Sequence, residues 1–93
     1  FAVQVLACQA AWDSADYARE ELGLDRPLGR MNPARLNVEG GAVACGHPVG
    51  ASGARLVLHL LHALRRSGGG LGVATLCIGG GQGGAMLLKA EKL

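Results

Sequence analysis

GAVACGHPVGASGARLVLHLLHALRRSGGGLGVATLCIGGGQGGAMLLK, residues 41–89, is the stretch whose reading decides the fold. Gly41 to Cys45 is a short apolar run bounded by glycines, the pattern of a buried strand. Gly46-His47-Pro48-Val49-Gly50 is a turn, because Pro and Gly both interrupt regular structure there. Ser52 is placed to cap a helix that runs to about Arg66. Arg55, His59, His62 and Arg66 recur at helical spacing as one polar stripe, and Val57, Leu60, Leu61 and Leu64 fill the opposite face. Ser67 and the glycines 68–70 stop the helix. Gly72 to Ile78 then reads as an apolar strand, residues 79–84 as a glycine turn, and Ala85 to Lys89 as a last strand. The last two strands are expected to pair antiparallel across their tight loop. The strand–helix–strand unit before them is expected to be a right-handed parallel crossover. Half of a layered α/β domain is the fold class these elements predict.

Upstream, residues 1–12 are apolar nearly all round a helix, with Gln4 and Gln9 the only polar interruptions, and a helix of that kind is expected to be buried. It starts at Phe1 in mid-pattern without a cap, so the chain is expected to be the tail of something longer. Asp13 and Ser14 can cap a second, polar helix from Ser14 to Leu22, which Gly23 can end. Residues 24–35, with Pro27, Gly29, Asn32 and Pro33, read as a loop.

Composition narrows the classes. Glycine is the outlier at 16 of 93 residues, well above the usual ~7%, but without a Gly-X-Y period the chain is not collagen-like. With 49% hydrophobic residues it is not disordered either. Net charge is only +2, no basic run exceeds Arg65-Arg66 and 3% aromatics cannot build a stacking surface, which argues against nucleic-acid binding. The longest apolar runs are broken by Gln9, His59 and His62, so no membrane span is expected. Cys8, Cys45 and Cys77, an odd number without paired spacing, suit free thiols in a reducing compartment.

Few residues could carry chemistry. Gly79, Gly81 and Gly84 match G-x-G-x-x-G, but the dinucleotide fingerprint needs a following helix and a distant acid, and a strand pattern follows instead. A tight turn that lets backbone approach something closely is the simpler reading. His59 and His62 lie beside two arginines with no further ligand nearby, which fits surface histidines better than a metal pair, and no metal site is expected. His47 is different, because it sits in a turn before a helix N-terminus whose first backbone N–H groups lack partners. An imidazole there can accept a proton or donate a hydrogen bond. Cys77 ends a strand directly before Gly79-Gly80-Gly81, where a thiol can face an open site beside an anion-binding run of N–H groups. His47 and Cys77 form a candidate pair of the nucleophile-plus-base kind. Cys8 is expected in the core. Cys45 remains a rival thiol, since strand alternation would put it on the same face as His47.

Three ordered motifs carry a resemblance to the C-terminal portion of the thiolases (acetyl-CoA C-acyltransferases and acetyltransferases). They are Asn37-Val38-Glu39-Gly40-Gly41-Ala42, Gly46-His47-Pro48 with Gly50-Ala51-Ser52-Gly53-Ala54-Arg55, and Cys77-Ile78-Gly79-Gly80-Gly81-Gln82-Gly83. The opening Phe1-Ala2-Val3-Gln4 resembles the end of the family's Asn-Glu-Ala-Phe-Ala-x-Gln segment. The resemblance implies the C-terminal half-domain of a layered α/β/α/β/α fold with a mixed sheet, and residues 1–93 as one partial domain. It implies thiolytic cleavage of 3-ketoacyl-CoA by CoA, or the reverse Claisen condensation. His47 would activate a nucleophilic cysteine, Cys77 would be the acid/base thiol, the Gly79 N–H would help form an oxyanion hole, and Phe1 would touch substrate. The family's nucleophilic cysteine has no match here, so the chain alone is expected to be inactive. CoA and acyl-CoA are expected as substrates, with no cofactor. A dimer or tetramer, a hydratase/dehydrogenase partner, and a cytoplasmic or organelle-matrix location are expected too. The alternative is a non-catalytic thiolase-like lipid-carrier or interaction module.

Overall fold

The computed structural model describes residues 1–92. They divide into two compact units, Phe1–Glu39 and the unit that begins at Gly40.

The first unit is helical. α1 spans Ala2–Trp12 and α2 spans Ala15–Leu22. Ser14 caps α2 as its sequence suggests, its hydroxyl accepting from the Tyr17 N–H at 3.1 Å. Gly23 ends α2 in the left-handed region, at φ +64°, where Gly has no Cβ to clash. Asp16 and Arg19 pair one turn apart on its surface. A single 3₁₀ turn, Pro33–Arg35, interrupts the loop, started by the Asn32 side chain accepting from Ala34 N–H at 3.0 Å. The Gly29 N–H bonds the Trp12 carbonyl at 2.9 Å and ties that loop to the end of α1. The helix forms where expected, but the expected burial does not follow. Val3, Val5 and Leu6 are exposed among the described residues, as is Cys8, which nothing in this unit buries. The physical reason is that α1's only helical neighbour within this unit is α2, which has eight residues and a polar composition, too little apolar surface to cover it.

The second unit begins with a correction. The run expected as a buried strand is a single helical turn, α3, Ala42–Cys45. Its backbone groups close on themselves, Cys45 N–H to Gly41 O at 2.8 Å and Gly46 N–H to Ala42 O at 2.9 Å. Two alanines favour that choice, and no strand among the described residues runs beside it to offer a ladder. Val43 is 97% exposed. Without this strand the parallel crossover is absent, and the alternation that put Cys45 and His47 on one face no longer applies.

α4, Ser52–Arg66, is the expected helix. It ends at Ser67, where Gly68 and Gly69 take positive φ and the Gly69 N–H closes on the Leu64 carbonyl at 2.8 Å. β1, Gly70–Gly79, and β2, Gln82–Ala90, form an antiparallel hairpin, with Gly72 opposite Leu88, Ala74 opposite Met86 and Cys77 opposite Gly83. The turn is shorter than its glycine run. Only Gly80 and Gly81 lie outside the strands, at φ +61° and +75°, and positive φ at both central residues matches the right-handed twist of a tight hairpin. Between Cys77 and Gly79 the register slips by one residue at Ile78, a bulge.

α4 packs on one face of the hairpin. Val57, Leu60, Leu61 and Leu64 are half-buried, as are Gly72, Ala74 and Leu76 on β1 and Gly84 and Leu88 on β2. Ala90 is buried. The closest approach is at Gly72, where an added Cβ would lie 2.7 Å from Leu60 Cδ1. Leu71, Val73 and Leu87 alternate onto the other, exposed face of the hairpin. The protein is therefore an α/β fragment whose described strands are antiparallel. No described helix is long and apolar enough to cross a membrane.

Candidate active site

The path of the chain through the second unit brings distant residues to one end. α4 runs away from the His47 turn, reverses at residues 67–69, and β1 runs back along it. The far end of β1 thus returns to the level of α4's first turn. A cavity of about 690 Å³ opens there, walled by Gly53 and Ala54 from α4 and by Cys77 and Ile78 from β1. Leu61 and Met86 add to its apolar lining.

His47 is held to this end by α4. Its Nδ1 lies 2.6 Å from Ser52 Oγ, and Ser52 is completely buried. The Ser52 hydroxyl also donates to the Pro48 carbonyl at 3.2 Å. Three residues on, Arg55 donates from Nη1 to the Gly46 carbonyl at 3.2 Å, so one helical face grips both sides of the histidine. Arg55 Nη2 is buried and has no hydrogen-bond partner among the described residues. The imidazole ring is solvent-exposed.

Two expectations change here. The N-cap of α4 is Ala51, with no side-chain bond to the helix N–H groups, and Ser52 reaches backwards to the histidine instead of forwards. Arg55 is not part of a solvated stripe, because its guanidinium turns in to the turn carbonyl, although His62 and Arg66 on the same stripe are exposed. The sequence holds the spacing for both, which becomes a signal only once the turn is known to fold over α4. A serine five residues after the histidine, with an arginine three further on, puts two donors of the first helical turn under the Gly-His-Pro turn.

Cys77 is a free, exposed thiol at the cavity wall. Cys45, also free and exposed, sits in α3 and is not part of that wall. Gly79 follows the bulge at φ +129°, a conformation closed to residues with a Cβ. His47, Cys77 and Gly79 therefore belong to one unit and one end of it. Phe1 belongs to the other unit and is 93% exposed. Among the described residues, no group of three or more His, Cys, Asp or Glu side chains is arranged to hold a metal ion.

Comparison with known proteins follows the same motifs. The family model described as thiolase, C-terminal domain, matches residues 1–90. The chain belongs to the thiolase family. It is 47% identical over 91 residues to a 3-ketoacyl-CoA thiolase of Aeromonas salmonicida, covering 98% of this chain and 21% of that protein. It is 48% identical to the 3-ketoacyl-CoA thiolase of Salmonella typhimurium and 46% identical to that of Yersinia pestis, with the same coverage. The chain thus spans about a fifth of the length of the curated relatives it matches. The matched residues span both the Gly46-His47-Pro48 motif and the motif that holds Cys77 and Gly79.

Proposed function

We propose that this chain supplies one half of the active site of an acyl-CoA acyltransferase. The enzyme cleaves 3-ketoacyl-CoA with CoA, or runs the reverse condensation to acetoacetyl-CoA. His47 takes the proton from a nucleophilic cysteine contributed from outside residues 1–93. When the bond between C2 and C3 of the substrate breaks, the departing enolate takes the proton of the Cys77 thiol at C2. The Cys77 thiolate then removes the proton of the incoming CoA thiol, which attacks the acyl-enzyme and frees the nucleophile. A thioester enolate is high in energy, so a fixed donor at its oxygen stabilises the transition state more than the ground state. The Gly79 N–H is that donor. Every step is acyl or proton transfer between thiols and carbonyls, so the reaction as drawn needs no redox group.

The observation that carries this reading is that the first turn of α4 holds the His47 turn through Ser52, while its next residues, Gly53 and Ala54, share an apolar cavity wall with Cys77 of β1. The names of the relatives supply the substrate class. Phe1 contacting the acyl-CoA, assembly as a dimer or tetramer, and association with a hydratase/dehydrogenase subunit in fatty-acid β-oxidation belong to the same proposal. So does a location in the cytoplasm or, in a eukaryote, in an organelle matrix.

The test is Cys77→Ala in the full-length protein, assayed by loss of acetoacetyl-CoA in the presence of CoA. The rate is expected to fall at least about 10²-fold, the usual contribution of a general acid–base group. Near-normal turnover would mean that another thiol moves the proton. The 93-residue chain on its own is expected to show no cleavage.

A further inference from the structure

A hydroxyl has one hydrogen to give, and Ser52 makes two close polar contacts. Its Oγ lies 3.2 Å from the Pro48 carbonyl oxygen and 2.6 Å from His47 Nδ1. A carbonyl oxygen can only accept, so the hydrogen between Ser52 and Pro48 belongs to Ser52. The short contact to the histidine then needs a hydrogen on Nδ1. Complete burial of Ser52 keeps its hydroxyl from bulk solvent. The same Pro48 carbonyl also accepts the Ala51 and Ser52 N–H groups at 2.8 and 2.9 Å, so the hydroxyl is its third and longest donor.

We infer that Ser52 is a positioning residue that holds neutral His47 as its Nδ1–H tautomer and so leaves Nε2 as the only basic nitrogen. The assignment of the hydrogens is geometric; its catalytic value rests on the acyltransferase reading above. In the opposite tautomer Nε2 carries the hydrogen and cannot take a proton from a thiol. When Nε2 does take a proton, the imidazolium keeps its Nδ1–H, so the bond to Ser52 persists through the transfer and the ring need not turn. A neutral hydroxyl in this position orients the ring without adding the field of a carboxylate. Arg55, bonded to the Gly46 carbonyl at 3.2 Å, holds the backbone on the other side of the histidine and limits its swing. The helix supports both contacts from one turn, so the orientation of the ring is set by the start of α4.

Long-range ¹H–¹⁵N spectra of the histidine rings in the full-length protein test this directly, with His47 assigned by its loss in His47→Gln. At a pH where the ring is neutral, wild-type His47 is expected to show its hydrogen on Nδ1. In Ser52→Ala the hydrogen is expected to move mainly to Nε2, the form that predominates for free imidazole side chains in water. A wild-type spectrum with the hydrogen on Nε2 overturns the inference, and this readout stands even if the variant does not fold. An unchanged tautomer in folded Ser52→Ala also overturns it. In the acyl-CoA assay, Ser52→Ala is expected to lower kcat at least tenfold with KM for the thioester within about twofold. Full kcat alongside a changed tautomer overturns the catalytic role. Because the spectra need no turnover, failure of the tautomer inference is distinguishable from failure of the acyltransferase reading, which His47→Gln activity tests separately.

Discussion

Replacing Gly72 with alanine tests whether the approach of α4 to β1 depends on a missing side chain. A Cβ at this position would lie 2.7 Å from Leu60 Cδ1 and 3.2 Å from both Cδ2 and Cγ. Carbon atoms in contact prefer roughly 3.5–4.0 Å, so the leucine tip must retreat by nearly 1 Å or the helix must lift. Overpacking of this kind costs about 1–3 kcal/mol. The backbone of Gly72 lies outside the positive-φ region, so alanine also recovers about 0.5–1 kcal/mol of glycine's extra entropy loss. The balance is a loss of about 1 kcal/mol, roughly a fivefold change in the ratio of open to closed hairpin. Hydrogen exchange of the peptide covering residues 70–90, read by mass spectrometry in the full-length protein, measures that opening. Gly84→Ala is the control on the same face. Its Cβ would meet Ile78 Cδ1 at 3.6 Å, an ordinary contact, so exchange there should hold steady or slow. The decisive arm is Leu60→Ala combined with Gly72→Ala. Truncating the leucine removes the clash, so the two changes together should cost less than their sum by the overpacking term, about 1–3 kcal/mol. Simple additivity would refute the steric account, because then Leu60 is not what the new methyl meets.

The hairpin turn gives a second expectation. Gly80 sits at φ +61° with nothing within 4 Å of its missing Cβ, so only backbone strain opposes substitution. Gly80→Asn, which creates the Asn-Gly pair that tight hairpins favour, should leave exchange of residues 70–90 within a few tenths of a kcal/mol, whereas Gly80→Val should cost more than about 1 kcal/mol. Thiol reactivity separates the enzyme from a non-catalytic remnant. Cys8, Cys45 and Cys77 are all free and exposed in this chain. In the enzyme Cys77 should react faster than Cys8 near neutral pH, and equal sluggishness of the two would favour the interaction-module alternative.

Much of this molecule was legible in its residues, and the exceptions share a cause. α2, α4 and the hairpin follow from local signals, namely Ser14 and Gly23 as caps, a 3.6-residue apolar period, and glycines where φ must be positive. The run from Ala42 to Cys45 misled because apolar character over so few residues fits either a strand or a helical turn, and the outcome depended on whether a neighbouring strand was available. α1 is not covered among residues 1–92, because periodicity states what a face prefers and α2 offers it too little apolar surface. At the site, His47 and Cys77 stood out by their glycine surroundings, but the roles of Ser52 and Arg55 did not. A serine at a helix start normally reads as a cap, and only the fold of the Gly-His-Pro turn over α4 reveals that its hydroxyl is already committed.

The return of β1 alongside α4 makes that helix a ruler. Fifteen helical residues reach about 22 Å, and the eight residues from Gly70 to Cys77 reach about 26 Å, so the two arms nearly match in length. The His47 turn is fastened to the start of the ruler and Cys77 is counted back from its end. Adding or deleting one residue within α4 shifts that start by about 1.5 Å and turns it about 100° around the axis, carrying the imidazole with it. Exposed side chains such as His62 and Arg65 do not enter this length. The residue count between positions 52 and 66 sets it, so an added residue is expected to be tolerated at the 67–69 reversal or the Gly80-Gly81 tip and not within α4.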